Sequence, residues 1–344
     1  MGFLYIYLSL YENCRHMGVL VMKKKIFAAL CALLLIFTAN VFAGQACDDD
    51  GEDFIKWMSF DVPLDVLKQA YEYDVSSRNE EHPLDFVQLL AYAAAKNWGS
   101  FKERGKSAAM DDAVERIRNG ETMHEITDGL KLYEHYLSAY QAVLGGFVGE
   151  YEIIDTGERM YGLKVFSPMA KGFGFSHSDD FGNPRNYGYS RPHLGHDLFG
   201  RVGSPVIAVE GGVVEALGWN QYGGWRIGIR SFCCRRYYYY AHLMKDTPYA
   251  EGLEIGKKVA AGDVIGYLGA TGYSRRENVS NIKVPHLHFG MQIIFNESQK
   301  DGRNQIWIDT YNIVKFLNKN RMEVEPCEGK GYRRAVEIEN APME

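Results

Sequence analysis

The chain has 344 residues, 46% of them hydrophobic, 24% charged and 13% aromatic, which excludes disordered and fibrous classes and supplies apolar mass for about two domains. Its formal net charge is −6. The first 43 residues hold four basic groups (Arg15, Lys23, Lys24, Lys25) against one acidic group (Glu12), so the rest is more acidic still and lacks the clustered Lys and Arg that release counterions from phosphates. Nucleic acid is excluded as a partner.

Lys23-Lys24-Lys25 precede an apolar run from Ile26 to Ala43, which ends Val41-Phe42-Ala43 before Gly44. Basic, apolar and small-residue regions in that order predict a secretory leader over residues 1–43, cut after Ala43, with Met22 as the natural start and the signal peptide at 22–43. The run contains Thr38 and Asn40 and falls short of the roughly 20 apolar residues that span a bilayer, so no stable membrane span is expected once the leader is removed. Gly44-Gln45-Ala46 lacks the Leu that precedes a lipidated cysteine, which argues against Cys47 as an anchor.

The six cysteines contain no C-x-x-C pair, which removes zinc ribbons and thioredoxin chemistry. Cys233-Cys234 lie between two strand-like runs, 226–232 and 237–243, and read as a hairpin turn rather than as metal ligands.

Residues 50–148 read as an all-helical domain with an internally complete core. Asp61 and Pro63 mark a helix start. Phe86, Leu89, Leu90, Ala93 and Ala94 form one apolar stripe that ends near Trp98 and Gly99. Ile126, Leu130, Tyr133, Leu137, Tyr140 and Leu144 form a second, longer stripe in steps of four and three. Three to five helices are expected. Glu80, Glu81 and Asp85 could suggest a glycosidase carboxylate pair, but such groups must face each other across a cleft, and a solvated turn is the better reading. His82, His124 and His135 read as surface or packing residues.

From Tyr161 the pattern changes to short apolar runs, such as 206–209, 213–217 and 226–229, separated by Gly211-Gly212 and Gly223-Gly224. This predicts a mainly antiparallel β domain over 160–320, followed by a charged tail, 321–344. The fold class is therefore α+β multidomain, helices first and sheet second.

Six of the ten histidines fall between 177 and 288. In Pro285-His286-Leu287-His288-Phe289-Gly290, strand alternation points His286 and His288 to one face while Leu287 and Phe289 anchor the other. Upstream, His193-Leu194-Gly195-His196-Asp197 sets a His and a carboxylate four apart, with a Gly that lets the backbone bend round an ion. Two His and one Asp match the count of a catalytic zinc site, which keeps a fourth position for water.

These motifs, with Tyr240-Ala241-His242-Leu243 between them and the glycine-punctuated segments 259–266 and 269–272, resemble the LytM/lysostaphin group of zinc metallopeptidases that cut peptidoglycan. The resemblance covers about residues 160–295 and none of the helical half. It implies a LytM-like (duplicated hybrid motif) domain, Zn2+ as cofactor, His193, Asp197 and His288 as its ligands, and His242 and His286 as the catalytic pair. It further implies peptidoglycan as partner and a secreted or cell-wall-associated bacterial location. A catalytically silent wall-binding or activator module on the same fold is the alternative, and retention of all five residues favours the enzyme.

His196 reads as structural, and His177 as a possible groove residue. Tyr238 and Tyr240, placed by alternation on the face of His242, are expected to line the substrate groove. Residues 219–225 read as a hairpin connection, and 273–285 as a loop at the cleft rim.

Overall fold

The computed structural model describes residues 54–101, 108–328 and 331–340. The leader, its cleavage site, Met22 and Cys47 lie outside the described residues, as do the last four of the tail.

Five helices fall between residues 64 and 144 among the described residues: α1 (Leu64–Ser77), α2 (Phe86–Lys96), α3 (Ala108–Arg118), α4 (Met123–Thr127) and α5 (Tyr133–Leu144). Pro63 precedes α1 in an extended conformation, where its missing N–H costs no hydrogen bond. Asp85 caps α2 by accepting from Gln88 N at 2.7 Å, and Glu80 faces Arg118 at 3.0 Å. Neither carboxylate faces a cleft partner, in keeping with the charged-turn reading.

Every residue of α2 from Phe86 to Ala95 except Gln88 is buried, so this helix is the centre of the helical layer. The stripe from Ile126 to Leu144 is not one helix. Asp128 turns extended (φ −56°, ψ 128°) and Gly129 adopts φ +72°, so the chain leaves α4 and starts again at Tyr133. The periodicity survives because both pieces present their apolar faces to the same core.

The β region is built round an antiparallel eight-stranded sheet. Its strands are β3 (Phe175–His177), β6 (His196–Gly200), β8 (Gly212–Asn220), β9 (Gly224–Ser231), β10 (Arg236–Ala241), β11 (Lys258–Val259), β13 (His286–Ile293) and β14 (Ile306–Ile308). The order is β11-β8-β9-β10-β13-β6-β3, with β14 also on β13. Outside this sheet, β1 (Val148–Ile153) pairs with β2 (Glu158–Leu163) and β7 (Pro205–Ile207) with β12 (Val264–Tyr267), and a hairpin of β4 (Pro184–Tyr187) and β5 (Tyr189–Pro192) leads into the His193 segment. Asn220 and Gly224 close the β8–β9 hairpin, as residues 219–225 predicted. The fold is thus a helical region followed by an antiparallel, β-rich domain.

Register decides which side chains share a face. On one face, Asp197 of β6, His288 of β13 and Ala241 of β10 are direct cross-strand partners, as are Phe199 and His286. The opposite face carries Leu198, Leu287, Phe289, Tyr238 and Tyr240, all fully buried.

The apolar core runs without a break from Met58 to Leu317. Helix α6 (Tyr311–Leu317) follows the sheet in sequence yet stacks its Phe316 on Phe86 of α2, ring centroids 5.8 Å apart. Arg236, 1% exposed, donates to Glu210 through two 2.7 Å bonds and to the carbonyls of Ala142 (3.0 Å) and Gly145 (2.9 Å) at the end of α5. Helix ends leave such carbonyls without intrahelical partners, and here a residue of the sheet satisfies them.

Candidate metal centre and active site

His193, Asp197 and His288 converge. His193 Nε2 lies 3.0 Å from Asp197 Oδ1 and 2.9 Å from His288 Nδ1, and His288 Nδ1 lies 3.0 Å from the same Asp197 oxygen. This is the His/Cys/Asp/Glu cluster of metal-holding geometry among the described residues, and it contains no cysteine. A neutral imidazole carries a single ring proton, so such a triangle concentrates lone pairs and calls for a cation or shared protons at its centre. Tetrahedral zinc with bonds of about 2.0–2.2 Å separates its ligand atoms by roughly 3.3 Å, close to the triangle's sides. The donor set fits zinc.

Local sequence makes the convergence possible. Asp197 and His288 are cross-strand neighbours on one face, whereas His193 comes from the bend after β5. At Gly195 an added Cβ would sit 2.6 Å from His288 Cε1 and Nε2 and 2.9 Å from Phe289 O. Only a residue without a side chain lets that bend lie against His288.

The surroundings favour a charged carboxylate. Burial would raise the Asp197 pKa, but hydrogen bonds from His193 and His288 overturn this and hold it well below the usual carboxylate range. Arg185 reaches Asp197 Oδ2 at 3.2 Å and His193 Nδ1 at 2.9 Å, and also pairs with Asp180. Asp180 in turn places Oδ1 3.2 Å from His193 Nδ1, so this pair braces the ring from behind.

His242 and His286 stand beside the triangle. Their ring centroids are 4.8 Å apart, and His286 Nε2 is 3.7 Å from Asp197 Oδ1. His286 Nδ1 is 2.8 Å from Val284 O and His242 Nδ1 is 2.9 Å from Thr271 O. Carbonyls only accept, so in the neutral form of each ring the proton is on Nδ1 and the lone pair on Nε2. Burial, reinforced by the neighbouring His286 and His288, pushes the His242 pKa well below the ordinary histidine value.

Tyr238 and Tyr240 do not line the groove. Both are fully buried on the opposite face, Tyr238 donating to Glu210 Oε2 at 2.7 Å and Tyr240 accepting from Val209 N at 3.1 Å. Alternation from His242 fails because β10 ends at Ala241 and His242 turns back with φ +61°. The tyrosine on the site face is Tyr239, whose ring lies 5.9 Å from that of His288. His196 is on the core face, with Nε2 2.7 Å from His177 Nδ1, which removes both from the cluster.

The cleft in front of the triangle encloses about 190 Å3 and is lined by Arg185, Arg191, Tyr222, Tyr239, His242 and Tyr273 along with the three cluster residues. Tyr273 brings the 273–285 loop to its rim, as expected. Asp180, Arg185, Arg191, Tyr239 and the Thr271 carbonyl were not visible in the sequence as site residues; they arrive through sheet register and loop closure.

An antiparallel sheet carrying a buried His/Asp/His cluster with two further histidines beside it is a candidate metal site. Residues 191–302 match the model of peptidase family M23 and form an M23 domain, the LytM/lysostaphin type. An L-Ala–D-Glu endopeptidase of Bacillus subtilis is 37% identical over 161 residues, 47% of this chain and 44% of that protein. The peptidoglycan DD-endopeptidase ShyC of Vibrio cholerae is 30% identical over 128 residues, 35% of this chain and 25% of that protein. The chain therefore spans less than half the length of these curated relatives. Among solved structures, a candidate glycyl-glycine endopeptidase, lytM, of Ruminococcus gnavus is 25% identical, covering 77% of this chain and 90% of that one at a TM-score of 0.49.

Proposed function

We propose that the protein is an exported, cell-wall-associated zinc metalloendopeptidase that hydrolyses peptide bonds of bacterial peptidoglycan, in the stem peptides or cross-bridges. The observation that carries this reading is the triangle of His193 Nε2, Asp197 Oδ1 and His288 Nδ1, flanked by two buried histidines whose Nδ1 atoms are held by backbone carbonyls. The endopeptidase names of the relatives support peptide-bond hydrolysis, and the name of ShyC supports peptidoglycan as substrate.

His193, Asp197 and His288 would hold the zinc, which supplies Lewis acidity toward the scissile carbonyl and lowers the pKa of a bound water. Arg185 and Asp180 keep the His193 ring and the Asp197 carboxylate in place. His242 stays neutral near pH 7, so its Nε2 can accept a proton, and His286 offers the same atom from the strand that carries His288. One takes the proton of the attacking water at Nε2 and hands that same proton to the leaving amine, and the other, when it carries a proton taken up from solvent, donates Nε2–H to the oxyanion and keeps that proton through the turnover. The carbonyls of Thr271 and Val284 fix both tautomers, so neither ring has to turn over before reaction.

No helix among the described residues is long and apolar enough to cross a membrane, and the export part of the proposal rests on the leader pattern of residues 22–43. Digestion of purified cell wall with the full chain loaded with zinc, and mass spectrometry of the released fragments, tests the activity. Fragments with new peptide termini are expected. A protein that binds zinc and wall but releases nothing belongs to the silent-module alternative instead.

A further inference from the structure

Two arginines face each other across the β4–β5 hairpin, where Arg185 is the register partner of Arg191. Like charges directly opposite on a sheet face repel unless each finds an anion. Arg185 has two, Asp180 and Asp197. Arg191 has no carboxylate partner among the described residues. Its guanidinium lies over the Tyr222 ring at 4.5 Å and near the Tyr273 ring at 5.6 Å, and its Nη1 is buried without a hydrogen-bond partner.

The aromatic contacts satisfy the face of the cation and hold its plane, but not its N–H edge. A buried donor left unmade costs free energy that an acceptor recovers on arrival. The rings are themselves fixed: Tyr273 stacks on Tyr187 at 4.9 Å, and Tyr222 meets Tyr187 edge-on at 6.1 Å. Arg191 is therefore a pre-positioned cation in the wall of the cleft that also contains His193, Asp197, His242 and His288. A planar, two-oxygen anion matches its fork geometry.

We infer that Arg191 determines specificity by binding a carboxylate of the substrate close to the scissile bond, so that the protein cuts acidic peptides in preference to neutral ones such as an all-glycine bridge. This rests on the peptidase reading and adds the chemical class of the substrate. The carboxylate is either that of an acidic residue or a free peptide terminus.

Four matched stem-type peptides separate these sources: glutamyl and glutaminyl versions, each with a free or amidated carboxy terminus. The zinc-loaded protein should cleave the carboxylate-bearing member of the relevant pair with a kcat/KM about 10- to 100-fold higher, the range of one charge-assisted hydrogen bond. Arg191→Gln should reduce that ratio to near one by slowing the acidic peptide far more than the neutral one, and Arg191→Lys should retain part of it. A merely structural role would slow both peptides alike and leave the ratio intact.

Binding of the same peptides to the metal-stripped full chain, followed calorimetrically, gives a readout independent of catalysis and of carboxylate binding to zinc. The acid should bind more tightly to the parent protein but not to Arg191→Gln. If no peptide is cut, the peptidase reading fails while the binding ratio still decides on Arg191. If the parent protein cuts or binds acid and amide equally, the assignment of Arg191 is overturned.

Discussion

Replacing Arg236 by Met tests whether the helical region and the sheet fold as one. The substitution keeps most of the aliphatic stem but removes both 2.7 Å bonds to Glu210 and the donors to the Ala142 and Gly145 carbonyls. Glu210 would retain Tyr238 Oη at 2.7 Å as a partner while losing the charge that balances it. Breaking a buried ion pair from one side costs about 3–5 kcal/mol, because the remaining charge stays desolvated. Adding Glu210→Leu should recover part of that loss, since the stranded carboxylate disappears. Urea denaturation followed by far-ultraviolet circular dichroism, dominated by helices, and by fluorescence of tryptophans such as Trp219, Trp225 and Trp307 in the sheet gives the free energies. Both probes should move together, because the core is continuous from Met58 to Leu317. A loss below about 1 kcal/mol, or a helical signal that melts in a separate transition, would mean that the helical region and the sheet fold independently of this ion pair.

Gly195→Ala places a Cβ 2.6 Å from the His288 ring; overpacking of this kind costs about 1–3 kcal/mol, and zinc affinity should fall at least tenfold by competition with a chelator. An unchanged affinity would show that the bend can move without disturbing the ligands. His196 supplies a pH test: burial first, then the neighbouring His177, pushes its pKa down to about 4. The unfolded chain therefore binds a proton below about pH 6.5 that the folded chain refuses, so stability falls as pH drops from about 6.5 to 4, by about 3 kcal/mol for this group. In the metal-free protein, His196→Gln should flatten that part of the stability profile. An identical profile for parent and variant would count against a neutral, buried His196.

The residues most legible in the sequence were those whose geometry follows from local periodicity. His286 and His288 share a face because β13 is a regular strand, and the Asp197 segment pairs with it in register. The stripe of α2 was equally clear. Legibility ended where the backbone left its period: His242 sits at φ +61°, which moves the groove tyrosine from Tyr238 or Tyr240 to Tyr239, and Gly129 splits the long stripe into two helices. The braces of the site are long-range. Arg185 and Asp180 reach His193 through a hairpin and a turn that carry no apolar rhythm, and Phe316 and Arg236 complete the helical layer from beyond it. The helical stripes look complete in sequence, because apolar periodicity reports that a face is buried but not which segment covers it.

His193, Asp197 and His288 are assigned to the metal, and His242 and His286 to proton transfer. Zinc content and wall-hydrolysis rate, measured together on the purified parent protein, His288→Ala and His286→Ala, separate the two groups. The parent should carry one zinc per chain and cleave. His288→Ala removes one of three proposed protein ligands, so occupancy and rate should fall together. His286→Ala leaves the His193, Asp197 and His288 triangle intact, so zinc should stay near one per chain while the rate drops by about 10²–10⁴. Loss of zinc from His286→Ala, or full zinc retention by His288→Ala, would mean that His286 and not His288 is the ligand on β13.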